Sequence, residues 1–201
     1  MCGRYYLPEE DLPQEWMNIL KLLGEPPENA KIAGEINPGD LVPAIANDRS
    51  LSPRPFFMRW GYSTDENPPL SGKLIFNARS ETAKEKPLFR DGMENRRCLI
   101  PAVHYFEWEK RQEWDGIKKV KHALRPEGNG VIYLCGIYRI EQQRAAFTIL
   151  TKPADDNIAF IHDRMPLILP RGCIKAWLRP ETDPAELMQY ACRVQGKEAA
   201  V

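Results

Sequence analysis

Apolar and polar positions in this chain form two kinds of pattern, one typical of helices and one typical of strands. Between residues 12 and 23 the apolar side chains recur every three or four residues, the spacing that places them on one face of a helix. Pro13 stands near the start of this stretch and Gly24 just beyond its end, the positions that these residues favour at helix termini. The pattern predicts a helix over 12–23.

Shorter runs, rich in β-branched and aromatic residues and bounded by Pro, Gly or Asn, predict strands. These runs cover residues 41–46, 56–60, 73–77, 98–100, 103–109, 131–140 and 145–151. Short helices are predicted near 80–85, 154–161, 171–178 and 184–191. Because regular β–α–β alternation is scarce, the pattern favours the α+β class, with a mainly antiparallel, barrel-like β core flanked by short helices.

The 18 prolines are spread along the chain, so they punctuate short elements and do not form a linker. We find no internal repeat and no low-complexity tract. The sequence therefore predicts one domain over 1–194, followed by a frayed tail at 195–201.

Composition narrows the class of protein. Hydrophobic residues make up 43% of the 201 residues and charged residues 28%, which argues against wholesale disorder. No apolar run approaches the ~20 residues of a membrane span, and the N-terminus lacks a secretory stretch. We therefore expect a cytoplasmic protein without membrane contact.

Charge is balanced overall, at 28 basic and 28 acidic residues, but it is unevenly distributed. Residues 73–121 carry 12 basic and 8 acidic side chains, a net charge of +4. This excess allows a local anion site, although a solvated face explains it about as well.

The five cysteines are odd in number and contain no C-x-x-C pair. They indicate reduced thiols, neither a zinc ribbon nor a disulfide framework, and no metal site is predicted. Cys98, Cys135 and Cys173 lie among apolar residues and are expected in the core.

Cys2 differs from the others because removal of Met1 would free its α-amine beside its thiol. An α-amine has an ordinary pKa of ~7.7–8.0, so a useful neutral fraction exists at physiological pH. Such a 1,2-aminothiol can form an imine with an aldehyde and close through sulfur into a thiazolidine. A terminal amine can alternatively serve as the base of a hydrolase.

Three internal segments add polar groups of possible function. Asn77 and Arg79 follow an apolar run, where they could orient a ligand and contact phosphate, or cap the next element. Glu107 lies among aromatic residues, which suits either a general acid/base of raised pKa or a strand-edge salt bridge. His162 stands at an element boundary beside Asp163 and Arg164, as an acid/base group or an ordinary hydrogen-bonded histidine.

Together and in this order, these segments resemble the SRAP family of SOS-response-associated peptidases or abasic-site processing proteins. The motifs are Met-Cys-Gly-Arg at 1–4, Asn-Ala-Arg-Ser-Glu at 77–81, Phe-Glu-Trp at 106–108 and His-Asp-Arg-Met-Pro at 162–166. The resemblance runs from residue 2 to about 180.

The resemblance implies recognition of abasic sites in single-stranded DNA and a covalent thiazolidine crosslink that shields the lesion. It implies that Cys2 is the nucleophile, that Asn77 positions the amine and the sugar, and that Glu107 and His162 form an acid/base pair. The DNA contacts that it implies are Arg4, Pro38, Trp60, Arg79, Thr151 and Arg164.

No cofactor is implied. The expectation is a monomeric enzyme with lyase-like crosslinking activity, autoproteolytic removal of Met1, and association with the nucleoid at damaged DNA. Two other functions stay open: a thiol protease that uses Cys2 and His162, and a non-catalytic reader of modified single-stranded DNA.

Overall fold

The computed structural model describes residues 2–10, 12–64 and 72–199. The strands, numbered along the chain, are β1 (Tyr5–Leu7), β2 (Gly34–Ile36), β3 (Leu41–Asn47), β4 (Pro53–Trp60), β5 (Tyr62–Ser63), β6 (Leu74–Ile75), β7 (Asn77–Arg79), β8 (Arg97–Ala102), β9 (His104–Glu113), β10 (Gly116–Arg125), β11 (Ile132–Glu141), β12 (Arg144–Pro153), β13 (Arg164–Pro166) and β14 (Gln195–Glu198). The helices are α1 (Gln14–Leu23), α2 (Pro87–Asn95), α3 (Ile174–Leu178) and α4 (Pro184–Met188).

Five strands close into a ring in the order β11-β8-β3-β4-β12, because β12 also pairs with β11. All pairs in this ring are antiparallel except β4 with β12. Gly136 permits part of the closure, since a Cβ atom there would lie 2.6 Å from Ile100 Cδ1 and 2.9 Å from the Thr148 carbonyl oxygen. The ring confirms the predicted α+β domain with its barrel-like, mainly antiparallel core.

A second, open sheet has the order β14-β10-β9-β1-β2. Its inward residues, among them Tyr5, Leu7, Ile36 and Tyr105, join the same buried cluster as the barrel residues. The long β9–β10 hairpin extends this sheet outward from the core. The start of the chain is therefore anchored on the strand that contains Glu107.

The end of β12 is bordered by two short strands. β7 runs parallel to β12, with Arg79 beside Thr151, and β13 runs antiparallel, with Pro166 beside Thr151. This arrangement brings the segments around Asn77 and His162 to the two sides of one strand.

The strand predictions were more accurate than the helix predictions. Helix α1 matches its prediction closely, but the residues predicted as helices near 80–85 and 154–161 form successive turns instead. The predictions missed α2, although its buried residues have helical spacing, and the polar strand β10, which has no clear apolar period. Cys98 and Cys135 are buried as expected, whereas Cys173 is only half-buried.

The predicted frayed tail was wrong for residues 195–198. They form β14, which pairs antiparallel with β10 from His122 to Arg125. The remaining part of the predicted tail, 200–201, lies outside the described residues, as does Met1. No helix in the described ranges has the length and apolarity that a membrane span requires.

Candidate active site

Cys2 lies between β7 and β9. The Asn77 side-chain amide, through Nδ2, donates a hydrogen bond of 2.7 Å to the Cys2 carbonyl oxygen. The Phe106 amide donates one of 2.8 Å to the Arg4 carbonyl oxygen, which extends the β1–β9 pairing toward the chain start. Glu107 therefore neighbours the Cys2–Gly3 segment, and the structure brings Cys2, Asn77 and Glu107 together.

The Cys2 thiol is fully buried, and Sγ lies 3.8 Å from the Arg4 carbonyl oxygen, to which it donates a weak hydrogen bond. Burial raises the pKa of this thiol, and the negative charge of Glu107 raises it further. Sulfur is therefore held as the neutral thiol, unlike the low-pKa thiolates of reactive cysteines.

Glu107 projects into the interior and is 4% exposed, so it does not occupy an exposed strand edge. Burial raises the pKa of its carboxyl group to about 7. A carboxyl group that titrates near neutral pH can both accept and return a proton.

His162 is fixed through its Nδ1 atom. The Arg164 amide lies 2.9 Å from Nδ1, and an Asp163 carboxylate oxygen lies 2.8 Å from it. The amide can only donate, so Nδ1 is an acceptor and the proton of the neutral ring sits on Nε2. Burial lowers the pKa of His162, which favours this neutral form over the ion pair with the exposed Asp163.

Three buried polar atoms near Cys2 have no hydrogen-bond partner within the described residues. They are Asn77 Oδ1 and the hydroxyl groups of Tyr5 and Tyr105. The two tyrosines face each other across β1 and β9, and burial raises the pKa of both hydroxyl groups. The two tyrosines give no functional signal in the sequence, because each resembles an ordinary core aromatic. Unsatisfied buried groups are rare and mark places where a ligand can bind.

The three arginines predicted to contact DNA have different surroundings. Arg4 forms an ion pair of 2.7 Å with Glu35, and its guanidinium lies 5.0 Å from the centre of the Trp108 ring. Arg79 is exposed and has no ion pair within the described ranges. Arg79 is therefore the one of the three whose charge is available without breaking a contact.

Arg164 is clamped. Its guanidinium binds both carboxylate oxygens of Glu81, at 2.5 and 2.8 Å, and the Thr151 carbonyl oxygen at 2.6 Å. Hydrogen bonding to Arg164 lowers the pKa of Glu81 to about 2. A phosphate that reached Arg164 would compete with an existing carboxylate.

The chain matches the family model described as SOS response associated peptidase (SRAP) over residues 1–201. This chain belongs to the SRAP family. Its relatives include the abasic site processing proteins YoqW and YoaM of Bacillus subtilis. YoqW is 32% identical, with 92% of this chain and 83% of the relative covered; for YoaM the values are 29%, 94% and 84%.

Solved structures share the SRAP fold. A phage-related protein from Bordetella bronchiseptica superimposes with a TM-score of 0.76 at 19% identity, covering all of this chain and 95% of that one. A second protein from the same organism gives 0.74 at 22% identity, with both chains fully covered. At these identities the similarity establishes the fold alone.

Two predicted contact residues of the SRAP chain do not fit their assigned roles. Trp60 is fully buried, its indole Nε1 donates to the Phe76 carbonyl oxygen at 2.9 Å, and its ring packs 5.1 Å from Tyr5. No face of this ring is exposed for stacking on a base. Thr151 is fully buried as well, and its carbonyl holds Arg164 in place.

Pro38 lies half-buried in a turn of the SRAP chain. The turn is closed by a hydrogen bond of 2.8 Å from the Asn37 amide to the Asp40 carboxylate. The contact between Pro38 and DNA stays a prediction.

One group of side chains has the residue types of a metal site. Ligand atoms of Glu109, His122 and Glu198 all lie within 4.8 Å of one another. Arg111 already bridges the two carboxylates, with Nη2 at 2.7 Å from Glu109 and 2.5 Å from Glu198. The guanidinium occupies the position that a cation would take, so the group acts as an ion-pair network that ties β14 to the hairpin.

Proposed function

We propose that this SRAP protein processes abasic sites in single-stranded DNA by linking covalently to them through Cys2. The names of the relatives support the substrate, and the surroundings of Cys2 support the chemistry. One observation carries the proposal: Asn77 holds the Cys2 carbonyl oxygen beside a buried Glu107 whose pKa is about 7. Such a site orients the start of the chain and supplies a proton acceptor next to it.

The proposed reaction begins after hydrolysis of the Met1–Cys2 bond, because the nitrogen of Cys2 is an amide until then. The freed amine attacks the aldehyde carbon of the ring-opened deoxyribose, and loss of water gives an imine. The thiol then adds across the C=N bond: sulfur bonds to carbon, and the thiol proton ends on nitrogen. The product is a thiazolidine, formed without an oxidant or a metal.

Each site residue has a distinct part in this proposal. Glu107 accepts the proton of the Cys2 ammonium, for which a pKa near 7 is suitable. The imidazolium form of His162 protonates the ring oxygen as the sugar opens, and this leaves the neutral ring with its proton on Nε2, the form that the lowered pKa favours. Asn77 Oδ1, a buried acceptor without a partner in the described residues, is available to the freed amine or the sugar.

The thiol-protease alternative fits the site less well. A peptidase nucleophile needs an accessible thiolate, whereas burial and Glu107 both raise the pKa of Cys2. Thiazolidine closure starts from an imine and uses the neutral thiol with a nearby base. A purely binding protein would have no use for a carboxyl group whose pKa is about 7 beside the chain start.

The deciding experiment is heat-stable, SDS-resistant transfer of the protein onto a single-stranded oligonucleotide that carries an abasic site. The processed protein should transfer, Cys2→Ala should leave at most a reducible imine, and Cys2→Ser should give a weaker or more labile adduct. A permanent N-terminal extension, made by blocking Met1 removal, should abolish transfer. Full transfer by the extended protein would rule out the thiazolidine mechanism.

The same preparations separate the alternatives. A protease would cleave peptides without crosslinking, and a reader would bind the oligonucleotide without a covalent product. We include autocatalytic removal of Met1 in the proposal, as a hydrolysis assisted by Glu107 and not by a Cys2 thiolate; intact mass after expression should show Met1 removed in wild type and retained in Glu107→Gln. We also propose that the protein is monomeric and resides in the cytoplasm, where it associates with the nucleoid when it is bound to damaged DNA.

A further inference from the structure

The outer part of the β9–β10 hairpin presents side chains that the proposed chemistry does not use. Trp114, at the tip of the hairpin, is 97% exposed, and Ile117 on β10 is 68% exposed. Single exposed aliphatic residues are common, but an almost completely exposed tryptophan beside one forms an apolar surface typical of contact sites.

Two lysines beside this apolar surface stand in an unfavourable arrangement. Lys110 and Lys119 are directly opposite each other across the two strands, and both are exposed. Neither forms an ion pair with a carboxylate in the described part of the chain, and like charges in opposite positions destabilise a sheet.

In the next pair of opposite residues, by contrast, both cations have carboxylate partners. Arg111 and Lys118 are also opposite each other, but Arg111 binds Glu109 and Glu198, and Lys118 lies 3.7 Å from Glu113. Side chains alternate between the two faces of a strand, so these compensated charges lie on the other face from Lys110. The face with Lys110 and Lys119 therefore has an uncompensated positive charge that an anionic partner would relieve.

This face leads to Arg4 beside the start of the chain, whereas the Glu107 side chain points to the opposite face of β9. By the same alternation, Lys110 shares its face with Trp108 and Phe106, and Arg4 stacks its guanidinium on Trp108 at 5.0 Å. Arg4 is only two residues from Cys2. From Glu107 to the tip the hairpin extends roughly 23 Å, at ~3.3 Å per residue, which is long enough for several nucleotides.

We propose that the hairpin strip, defined as Lys110, Trp114, Ile117 and Lys119, binds the single-stranded DNA that flanks the abasic site. The lysines contact phosphates, and Trp114 stacks on a base several nucleotides from the lesion. The inference rests on the proposed function, because the DNA strand is taken to run from the lesion at Cys2 to the hairpin strip. Exposed lysines and an exposed tryptophan suit a single strand, which offers phosphates to the lysines and an unpaired base to the aromatic ring.

The test measures affinity for undamaged single strands, which is separate from crosslinking. We compare an oligonucleotide of about four nucleotides, held near Cys2, with one of about sixteen, which can reach the tip. Trp114→Ala should weaken binding of the long strand roughly tenfold, as expected for loss of one stacked base. Lys110→Glu with Lys119→Glu should weaken it further and reduce the salt slope by about 1.4. Binding of the short strand should stay unchanged.

Matched controls remove equivalent groups elsewhere. Tyr190→Ala deletes an aromatic residue that is 60% exposed, and Lys21→Glu with Lys175→Glu makes the same change in net charge on exposed helix positions. Thermal unfolding checks that all variants are folded.

Unchanged affinity of both strip variants for the long strand would overturn the inference. So would a change in oligomeric state on Trp114→Ala without a change in DNA affinity, which would make the strip a self-association surface. A strip that binds DNA in a protein that does not crosslink would instead contradict the proposed function alone.

Discussion

At the scale of single residues, Glu107 has the largest consequence for both stability and chemistry. Burial raises the pKa of its carboxyl group to about 7, whereas an unfolded glutamate titrates near ~4.3. The folded state therefore holds its proton more tightly than the unfolded state. Glu107 therefore lowers the free energy of unfolding. This unfavourable contribution is small below the unfolded pKa, grows as the pH rises from there to about 7, and is complete above about pH 7.

Replacing Glu107 by Gln removes this titration. We expect the free energy of unfolding of Glu107→Gln, relative to wild type, to increase by roughly 2 kcal/mol between pH 5 and pH 8. Urea unfolding at both pH values measures it. Glu113→Gln, a partly exposed position on the same strand, is the control and should show little difference between the two pH values. A pH-independent effect of Glu107→Gln would contradict the raised pKa.

Glu107 and His162 are expected to act at different steps. Loss of a general acid or base slows its step by ~10²–10⁴-fold, so Glu107→Gln and His162→Ala should both crosslink slowly. A substrate supplied as an open-chain aldehyde bypasses ring opening and should rescue His162→Ala more than Glu107→Gln. Single-turnover crosslinking on both substrates is the measurement. Equal rescue of the two variants would show that the roles are assigned wrongly.

At the scale of elements, the end of β12 is joined to β13 and to the turn after β7 by one arginine. Arg164 binds Glu81 through two nitrogen–oxygen contacts and also the Thr151 carbonyl oxygen. Its side chain is mostly shielded, although Glu81 is partly exposed, which weakens the electrostatic part of the interaction. This clamp aligns the segment that fixes Nδ1 of His162.

We expect Arg164→Ala to lower the free energy of unfolding by about 1–3 kcal/mol, because carbonyl and carboxylate both lose their donor. Arg164→Lys should recover only part of this, since an ammonium cannot bind both oxygens in the same fork. The pKa of Glu81 is lowered to about 2, so its share of the stability is present above its unfolded pKa and lost as the pH falls toward about 2.

Urea unfolding of the Arg164 variants near neutral pH and at about pH 3 measures both effects, with Arg79→Ala as the control. Arg79 is exposed and unpaired within the described ranges, so its removal should leave stability almost unchanged. An Arg164→Ala protein as stable as wild type at neutral pH would argue against the clamp.

At the scale of the whole molecule, the zero net charge means that DNA binding depends on local cations. Each phosphate neutralised on a single strand contributes about −0.7 to the slope of log affinity against log salt. Three such contacts, from Arg4, Arg79 and Arg164, predict a slope of about −2. Arg4 and Arg164 already bind carboxylates, so a phosphate must displace Glu35 or Glu81 before either contributes.

Arg79 is therefore expected to dominate the salt dependence near the lesion. Arg79→Ala should reduce the magnitude of the slope by about 0.7 on a short single strand, and Arg4→Ala by less. Fluorescence polarisation over a salt series measures the slopes, with Arg90→Ala, an exposed helix residue, as the control. A slope near zero for wild type, or equal affinity for intact duplex, would contradict the phosphate contacts.

Local patterns along the chain were enough to identify the family and to predict much of the β core. Runs rich in β-branched and aromatic residues identified long strands such as β11 and β12, since composition is a local property of the chain. The short motifs around Cys2, Asn77, Glu107 and His162 identified the family, because their order along the chain is specific even though each motif alone is weak.

Which of these groups meet, and in which protonation state, depends on the three-dimensional fold. Trp60 has an aromatic side chain of the type that stacks on bases, yet its position beside Tyr5 and Phe76 buries it completely. β14 has no apolar period and exists because the exposed edge of β10 offers hydrogen bonds to it. The pairing of Arg164 with Glu81, 83 residues away, and the pKa of Glu107 depend on contacts and burial that no local pattern encodes.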